Sequence, residues 1–139
     1  MRSEWEQLAH DLDVAHKVQF VGRVSDADLA RLYASADIFV LPSNSRAESF
    51  GKVLLEAMAT GLPCITTEIG TGTSFVVQDG VTGLVVPPRD VDGLATAVNH
   101  LLQNPTLRHQ MGAAGRARVQ QEFTPEKMVT RVETVYKSR

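Results

Sequence analysis

The residues with most chemical promise lie between Arg46 and Thr60, in the run Arg-Ala-Glu-Ser-Phe-Gly-Lys-Val-Leu-Leu-Glu-Ala-Met-Ala-Thr. Glu56 is the one polar residue of Val53–Ala59, a stretch that reads as a helix packed on a core. A lone carboxylate taken out of water is costly, so it is expected to be paired or to hold a ligand. Accepting from two neighbouring hydroxyls at once is what recognition of a ribose requires. Phe50 and Gly51 open the same helix, where free backbone N–H groups and the helix dipole favour a phosphate. Gly51 has no side chain to keep a phosphate oxygen off the backbone. Glu48 stands just before the helix, facing whatever follows a diphosphate, such as a sugar. In chain order the three features match the parts of a nucleoside diphosphate sugar. An ordinary reading competes. Lys52 and Glu56 are four apart and can pair on a helix surface for roughly 0.2–0.5 kcal/mol, and Glu48 can be a solvated loop acid. The residues alone leave both readings open.

These residues need elements to position them. Ser3 is a candidate cap for a first helix whose apolar stripe is Trp5, Leu8, Ala9 and Leu12. Val18-Gln-Phe-Val21 reads as a strand closed by Gly22. Ser25, with Asp28 three residues on, resembles a capping box ahead of Leu29, Leu32 and Tyr33 on one helix face. Asp37-Ile-Phe-Val-Leu-Pro42 reads as a strand buried on both faces of a parallel sheet. A polar loop, Ser43 to Ser49, leads to a helix from about Phe50 to Thr60 that stops at Gly61. Pro63–Thr67 is the next strand, and Gly70-Thr-Gly-Thr-Ser74 a loop before a short helical turn. Asp79-Gly80 marks a tight turn and Thr82–Val86 a last strand.

Three helices are expected to follow. Asp90 caps one carrying Val91, Leu94, Ala95, Val98, Leu101 and Leu102, ended at Asn104-Pro105. A second carries Leu107, Met111 and Ala114. Thr124 and Pro125 open a third, with Met128, Val132, Val135 and Tyr136 facing inward. The alternation of strands and helices predicts an α/β layer fold with a mainly parallel sheet. Ligands of such sheets sit beyond the carboxyl ends of the strands, which singles out the loops Gly22–Ser25, Ser43–Ser49 and Glu68–Ser74.

The bulk properties exclude more than they name. The 139 residues suffice for one domain with a sizeable core, and no repeat or linker divides them. Fourteen basic against sixteen acidic residues give a net charge of −2, so no overall basic field invites nucleic acid. The longest apolar run, Ile38–Leu41, is far too short to span a bilayer. The acidic start, Arg2-Ser-Glu-Trp-Glu6, does not read as a signal peptide. A single cysteine, Cys64, permits no internal disulfide, suits a reducing cytoplasm and is expected as a buried core thiol. Histidines 10, 16, 100 and 109 lack metal-ligand spacing. Three Asp-x-Asp strings, at 11/13, 26/28 and 90/92, sit at helix ends and read as caps rather than metal ligands. Gly112-Ala-Ala-Gly115 reads as a packing site rather than a phosphate cradle. Arg116, Arg118, Lys127, Arg131, Lys137 and Arg139 read as a solvated basic face.

At this point the motifs resemble a known family. Glu48-Ser-Phe-Gly51 and Leu55-Glu-Ala-Met-Ala-Thr-Gly-Leu-Pro63 look like the signature of the group 1 (family 4-like) retaining glycosyltransferases. Phe20-Val-Gly-Arg-Val24, Leu32-Tyr-Ala-Ser-Ala-Asp-Ile-Phe-Val-Leu-Pro-Ser43 and Asp79-Gly-Val-Thr-Gly-Leu-Val-Val-Pro-Pro88 fall in the same family's order. The resemblance covers about residues 14 to 105. It implies the Rossmann-like C-terminal, donor-binding lobe of the two-lobed GT-B fold, occupying residues 1–139 as one domain. The family's first strand of that lobe, with its diphosphate-clamping arginine and lysine, and its N-terminal acceptor lobe are expected to be missing here, leaving the chain inactive by itself.

Carried over by position, the resemblance implies that Glu48 is catalytic, touching the transferred sugar near its reacting carbon. Glu56 would hold the ribose hydroxyls, and the backbone of Phe50 and Gly51 would meet the diphosphate or the sugar. Ser49, Lys52 and Val53 complete that substrate-binding segment, while Gly22, Arg23 and Val24 would border the base. Lys52 replaces a more usual aliphatic residue and is either an added phosphate contact or a surface charge. Phe75 stands where the family pattern has a glutamate, and Gly70-Thr-Gly-Thr-Ser74 looks like a subgroup that builds bacterial surface polysaccharides. The resemblance implies transfer of a hexose from a nucleoside diphosphate sugar to a glycan or lipid-linked acceptor, with no obligatory metal or cofactor. The implied partners are that donor and the acceptor-binding lobe, with no nucleic acid, in the cytoplasm, and a peripheral membrane contact of the full enzyme. A freestanding nucleotide-binding module or pseudoenzyme would use the same pocket without chemistry. A sugar-nucleotide epimerase shares the two-lobed fold, but its histidine and acidic pattern is not evident. A dinucleotide-dependent dehydrogenase is disfavoured because no Gly-x-Gly-x-x-Gly follows a strand.

Overall fold

The structure, a computed structural model, describes residues 2–42, 52–68 and 76–122. The expected loops at 43–49 and 70–74 and the helix opened by Thr124 lie outside the described residues. The chain forms two compact units, Met1–Leu32 and Tyr33–Arg139.

In the first unit, α1 spans Arg2–Asp11. Ser3 therefore lies inside the first turn and does not precede it as a cap. The helix ends in a Schellman motif: Val14 N–H reaches the Ala9 carbonyl at 2.9 Å and Asp13 N–H the His10 carbonyl at 3.0 Å. Asp13 takes the left-handed conformation at φ 57°, which a short polar side chain tolerates. Of the expected stripe only Ala9 is buried; Trp5, Leu8 and Leu12 are exposed. A 3₁₀ turn, Ala15–Lys17, follows.

The expected strand Val18–Val21 does not form. Val18 has extended dihedrals, φ −119° and ψ 130°, but a strand exists only through a paired neighbour, and this segment pairs with none among the described residues. The Phe20 carbonyl instead accepts from the Arg2 guanidinium at 2.9 Å. Gly22 then turns the chain at φ 63°. Ser25 caps as expected, forming one half of a capping box: its hydroxyl oxygen accepts from Asp28 N–H at 3.2 Å and opens α2, Asp26–Ser35.

The second unit begins within the last turn of α2 and contains a parallel sheet. Its strands are β1 Phe39–Leu41, β2 Cys64–Thr67 and β3 Gly83–Val86, in the order β1-β2-β3. Phe39 pairs with Cys64 and Ile65 with Leu84, so the register runs Leu41–Thr66–Val85 at the carboxyl end. β2 is buried along its whole length, as a central strand with both faces covered must be. The expectation of two buried faces misplaced that role: β1 is only half-buried, because it pairs on one side among the described residues.

Between β1 and β2 lies α3, Lys52–Ala59. It stops where Gly61 takes φ 84°, with Leu62 N–H on the Ala57 carbonyl at 3.2 Å and Gly61 N–H on the Met58 carbonyl at 2.9 Å. Leu54, Ala57 and Met58 are its fully buried face. The tight turn at Asp79-Gly80 also forms: Gly80 sits at φ 80°, and Asp79 accepts from Val85 N–H at 3.0 Å.

Helix α4, Val91–Leu102, is capped by Asp90, whose carboxylate accepts from Gly93 N–H at 2.9 Å. Pro105 opens α5, Pro105–Glu122, the first-turn position where its missing N–H costs nothing. Arg108 of α5 donates to the Leu101 and Leu102 carbonyls at 2.7 and 2.8 Å, satisfying the end of α4. Ile65, Val86, Ala97, Leu101 and Met111 form the core between the sheet and these helices. Among the described residues no helix is long and apolar enough to cross a membrane.

Candidate functional site

The three strands end together, at Leu41, Thr67 and Val86. Thr66 ties the first two ends by donating its hydroxyl to the Leu41 carbonyl at 3.1 Å. A depression of about 490 Å³ lies beside the end of β3, lined by Glu68, Gln78, Asp79, Val85 and Pro87 among others. A smaller one of about 150 Å³ is bounded by Pro42, Thr67, Arg89 and Asp90. Arg89 adopts φ 61°, a strained conformation for a long side chain, directly before the cap of α4. Both hollows lie at the carboxyl edge, where parallel α/β sheets receive ligands.

Glu56 lies one turn into α3, the helix that follows β1. It is half-buried rather than largely buried, because only positions 54, 57 and 58 point straight into the core. Its carboxylate has a partner that spacing along the chain does not reveal. The Tyr33 hydroxyl donates to Glu56 Oε2 at 3.2 Å across twenty-three positions of sequence. Tyr33 is buried and its ring packs at a tilt on Phe39, centroids 5.9 Å apart. Burial first, then the Glu56 charge and this hydrogen bond, push the phenol above its usual value of 10.0. Tyr33 therefore stays a donor at neutral pH.

The other expected site residues divide by location. Glu48, Ser49, Phe50 and Gly51 lie outside the described residues, as does Phe75. Lys52 opens α3, and Val53 is exposed beside it, away from the core face. Gly22, Arg23 and Val24 belong to the first unit, where Gly22 makes its positive-φ turn. The aspartates expected to act at helix ends do so: Asp13 terminates α1, Asp26 and Asp28 lie in the first turn of α2, and Asp90 caps α4. Cys64 is fully buried, and that burial lifts its thiol to about 12.

Likeness to known proteins decides the family. The model of the family described as "Glycosyl transferases group 1" matches residues 1–118. The chain belongs to the group 1 glycosyltransferases. This group 1 chain is 40% identical over 130 residues to N-acetyl-alpha-D-glucosaminyl L-malate synthase of Bacillus anthracis, covering 94% of the chain and 33% of that protein. Its structure superposes on sucrose-phosphate synthase from Thermosynechococcus elongatus with TM-score 0.85 and 36% identity, over 99% of the chain and 34% of the synthase. It also matches Anabaena HepE, solved in complex with UDP, with TM-score 0.84 and 25% identity over 99% of the chain and 36% of HepE. The chain thus spans about a third of the length of the relatives it matches. The fold expectation holds: a mixed α/β arrangement with a parallel three-strand sheet, shared with GT-B glycosyltransferases.

Two residues carry more than the sequence reading assigned them. Tyr33 was expected only as part of a helix's inward face; a phenol on such a face was the signal, since a buried hydroxyl needs a partner. Arg118 was placed on a solvated basic face, yet its side chain is only 10% exposed. It donates to the Val76 carbonyl at 3.2 Å and pairs with Glu122 at 2.5 Å. The i, i+4 spacing of Arg118 and Glu122 was the legible trace of that arrangement.

Proposed function

We propose that this chain binds the nucleoside diphosphate sugar of a retaining glycosyltransferase, through Glu56 on the ribose. The observation that supports it is the Glu56 carboxylate itself: half-buried on α3, held at Oε2 by the Tyr33 hydroxyl among the described residues, with accepting capacity remaining for neighbouring hydroxyls. In this reading the backbone at Phe50 and Gly51 meets the diphosphate, Gly22, Arg23 and Val24 border the base, and Glu48 contacts the sugar near its reacting carbon. UDP bound to HepE, a relative by structure, supports a nucleoside diphosphate as the ligand class. The transferred group is a hexose, the acceptor a glycan or a lipid-linked acceptor, and no resident metal is required.

Calorimetric titration of the 139-residue chain with UDP, GDP and ADP, beside Glu56→Ala, tests this reading. The expected result is binding of one nucleotide that the substitution weakens at least tenfold, which also names the base. Binding of none, or binding indifferent to Glu56→Ala, overturns it. Because the chain matches only about a third of its relatives, we infer that it turns over little substrate unaided. A transfer rate measured from the purified chain at the level of a complete enzyme overturns that part.

A further inference from the structure

We propose that Tyr33 is a positioning residue for the nucleotide, its hydroxyl fixing the Glu56 carboxylate in the orientation that accepts from both ribose hydroxyls. The inference rests on the ribose reading of Glu56. A free glutamate side chain has three rotatable bonds, and immobilising it on binding costs conformational entropy. Tyr33 removes much of that cost in advance, because its own ring cannot swing. The ring is buried and packed on Phe39 of β1, and it reaches Glu56 from α2, an element independent of α3. An acceptor held at one oxygen by a rigid donor is oriented before the ligand arrives.

The stoichiometry of lone pairs agrees. An ionised carboxylate offers about four acceptor sites. Among the described residues Tyr33 occupies one of them, on Oε2, and acceptor sites remain on both oxygens. Two ribose hydroxyls fill two of these without competing with the phenol. The raised phenol keeps its proton at neutral pH, so Tyr33 remains a donor to the Glu56 carboxylate.

The test compares UDP, GDP and ADP with their 2′-deoxy forms, titrated into the wild-type chain, Tyr33→Phe, Glu56→Ala and Phe39→Leu. Tyr33→Phe keeps the ring and its packing, so loss of fold does not confuse the result. The expected outcome is that Tyr33→Phe weakens the ribonucleotide about five- to tenfold and the 2′-deoxy form much less, so that discrimination between them shrinks. Phe39→Leu, which loosens the ring packing and leaves the phenol, narrows that discrimination by less than Tyr33→Phe does. If Glu56→Ala abolishes discrimination while Tyr33→Phe leaves it at the wild-type ratio, the positioning role fails and the ribose reading stands. If Glu56→Ala leaves the ratio unchanged, or no nucleotide binds, the ribose reading fails and this inference falls with it.

Discussion

A β-carbon placed on Gly112 would lie 2.0 Å from the carbonyl oxygen of Gly61. Helix α5 therefore crosses the C-terminal turn of α3 at a distance only glycine allows, and the Schellman turn that ends α3 is one wall of the contact. Three residues on, the same surface is roomier: the atoms nearest a β-carbon on Gly115 would be those of the Met58 side chain, at 3.6 Å and beyond. The pair makes a sharp prediction. Gly112→Ala is destabilising by about 1–3 kcal/mol, through overpacking against backbone that cannot yield. Gly115→Ala stabilises by roughly 0.5–1 kcal/mol, because alanine is the better helix former and the space exists. Urea denaturation of both variants checks it, and equal effects would show that α5 does not sit on α3 in this register.

Asp90 is the N-cap of α4, and its carboxylate occupies the space a β-carbon on Gly93 would need, 2.3 Å away. Asp90→Ala is expected to cost about 1 kcal/mol of stability, as loss of such a cap does. Gly93→Ala is expected to bring none of the usual gain of alanine in a helix, since the new methyl displaces the cap. Denaturation midpoints of the two single variants and the double variant decide this: once Asp90 is alanine, Gly93→Ala should become favourable.

Cys64 gives stability an alkaline limit. In the unfolded chain its thiol ionises near 9.0, whereas burial holds it to about 12 in the fold. Below pH 9 both states keep the proton and stability does not depend on this group. As pH rises from 9 to 12 the unfolded state alone releases it, so stability falls, by on the order of 4 kcal/mol over the full interval. Tyr33, raised by burial and by Glu56, adds to the loss above pH 10. Cys64→Ala should flatten the part of the decline between pH 9 and 10. Denaturant midpoints measured at pH 8, 9.5 and 10.5 for both proteins would show it.

Arg118 links the end of α5 to the chain just after residue 75, by donating to the carbonyl of buried Val76. Arg118→Met keeps most of the packing volume and removes the donor, leaving that carbonyl short of a partner; the expected loss is about 1–3 kcal/mol. Glu122→Gln should cost less, because it leaves the Arg118–Val76 contact in place. Thermal unfolding of the two variants tests the ordering, and a larger loss at Glu122 would place the weight on the ion pair instead.

Local signals were legible wherever the physics that produces them is local. Gly61 and Gly80 turn where only positive φ serves, Ser25 and Asp90 cap the helices that follow them, and Pro105 begins a helix it could not continue. The strand at Cys64–Thr67 was legible, but its place at the centre of the sheet was not, since two buried faces were expected of Asp37–Pro42. Reading Val18–Val21 as a strand failed for the opposite reason: extended dihedrals are a local preference, but a ladder needs a neighbour elsewhere in the chain.

At the candidate site the division is the same. The sequence by itself determined the family signature and pointed to Glu56, because a single carboxylate in an apolar helix is conspicuous before any folding is considered. Only the tertiary structure decided what that carboxylate touches. Tyr33 and Glu56 stand on different helices, and nothing in the spacing of either helix encodes a contact across twenty-three positions. Arg118 and Val76, forty-two positions apart, meet for the same reason. Side-chain partners of this kind are set by how the helices seat on the sheet, and that seating follows from filling the whole core at once.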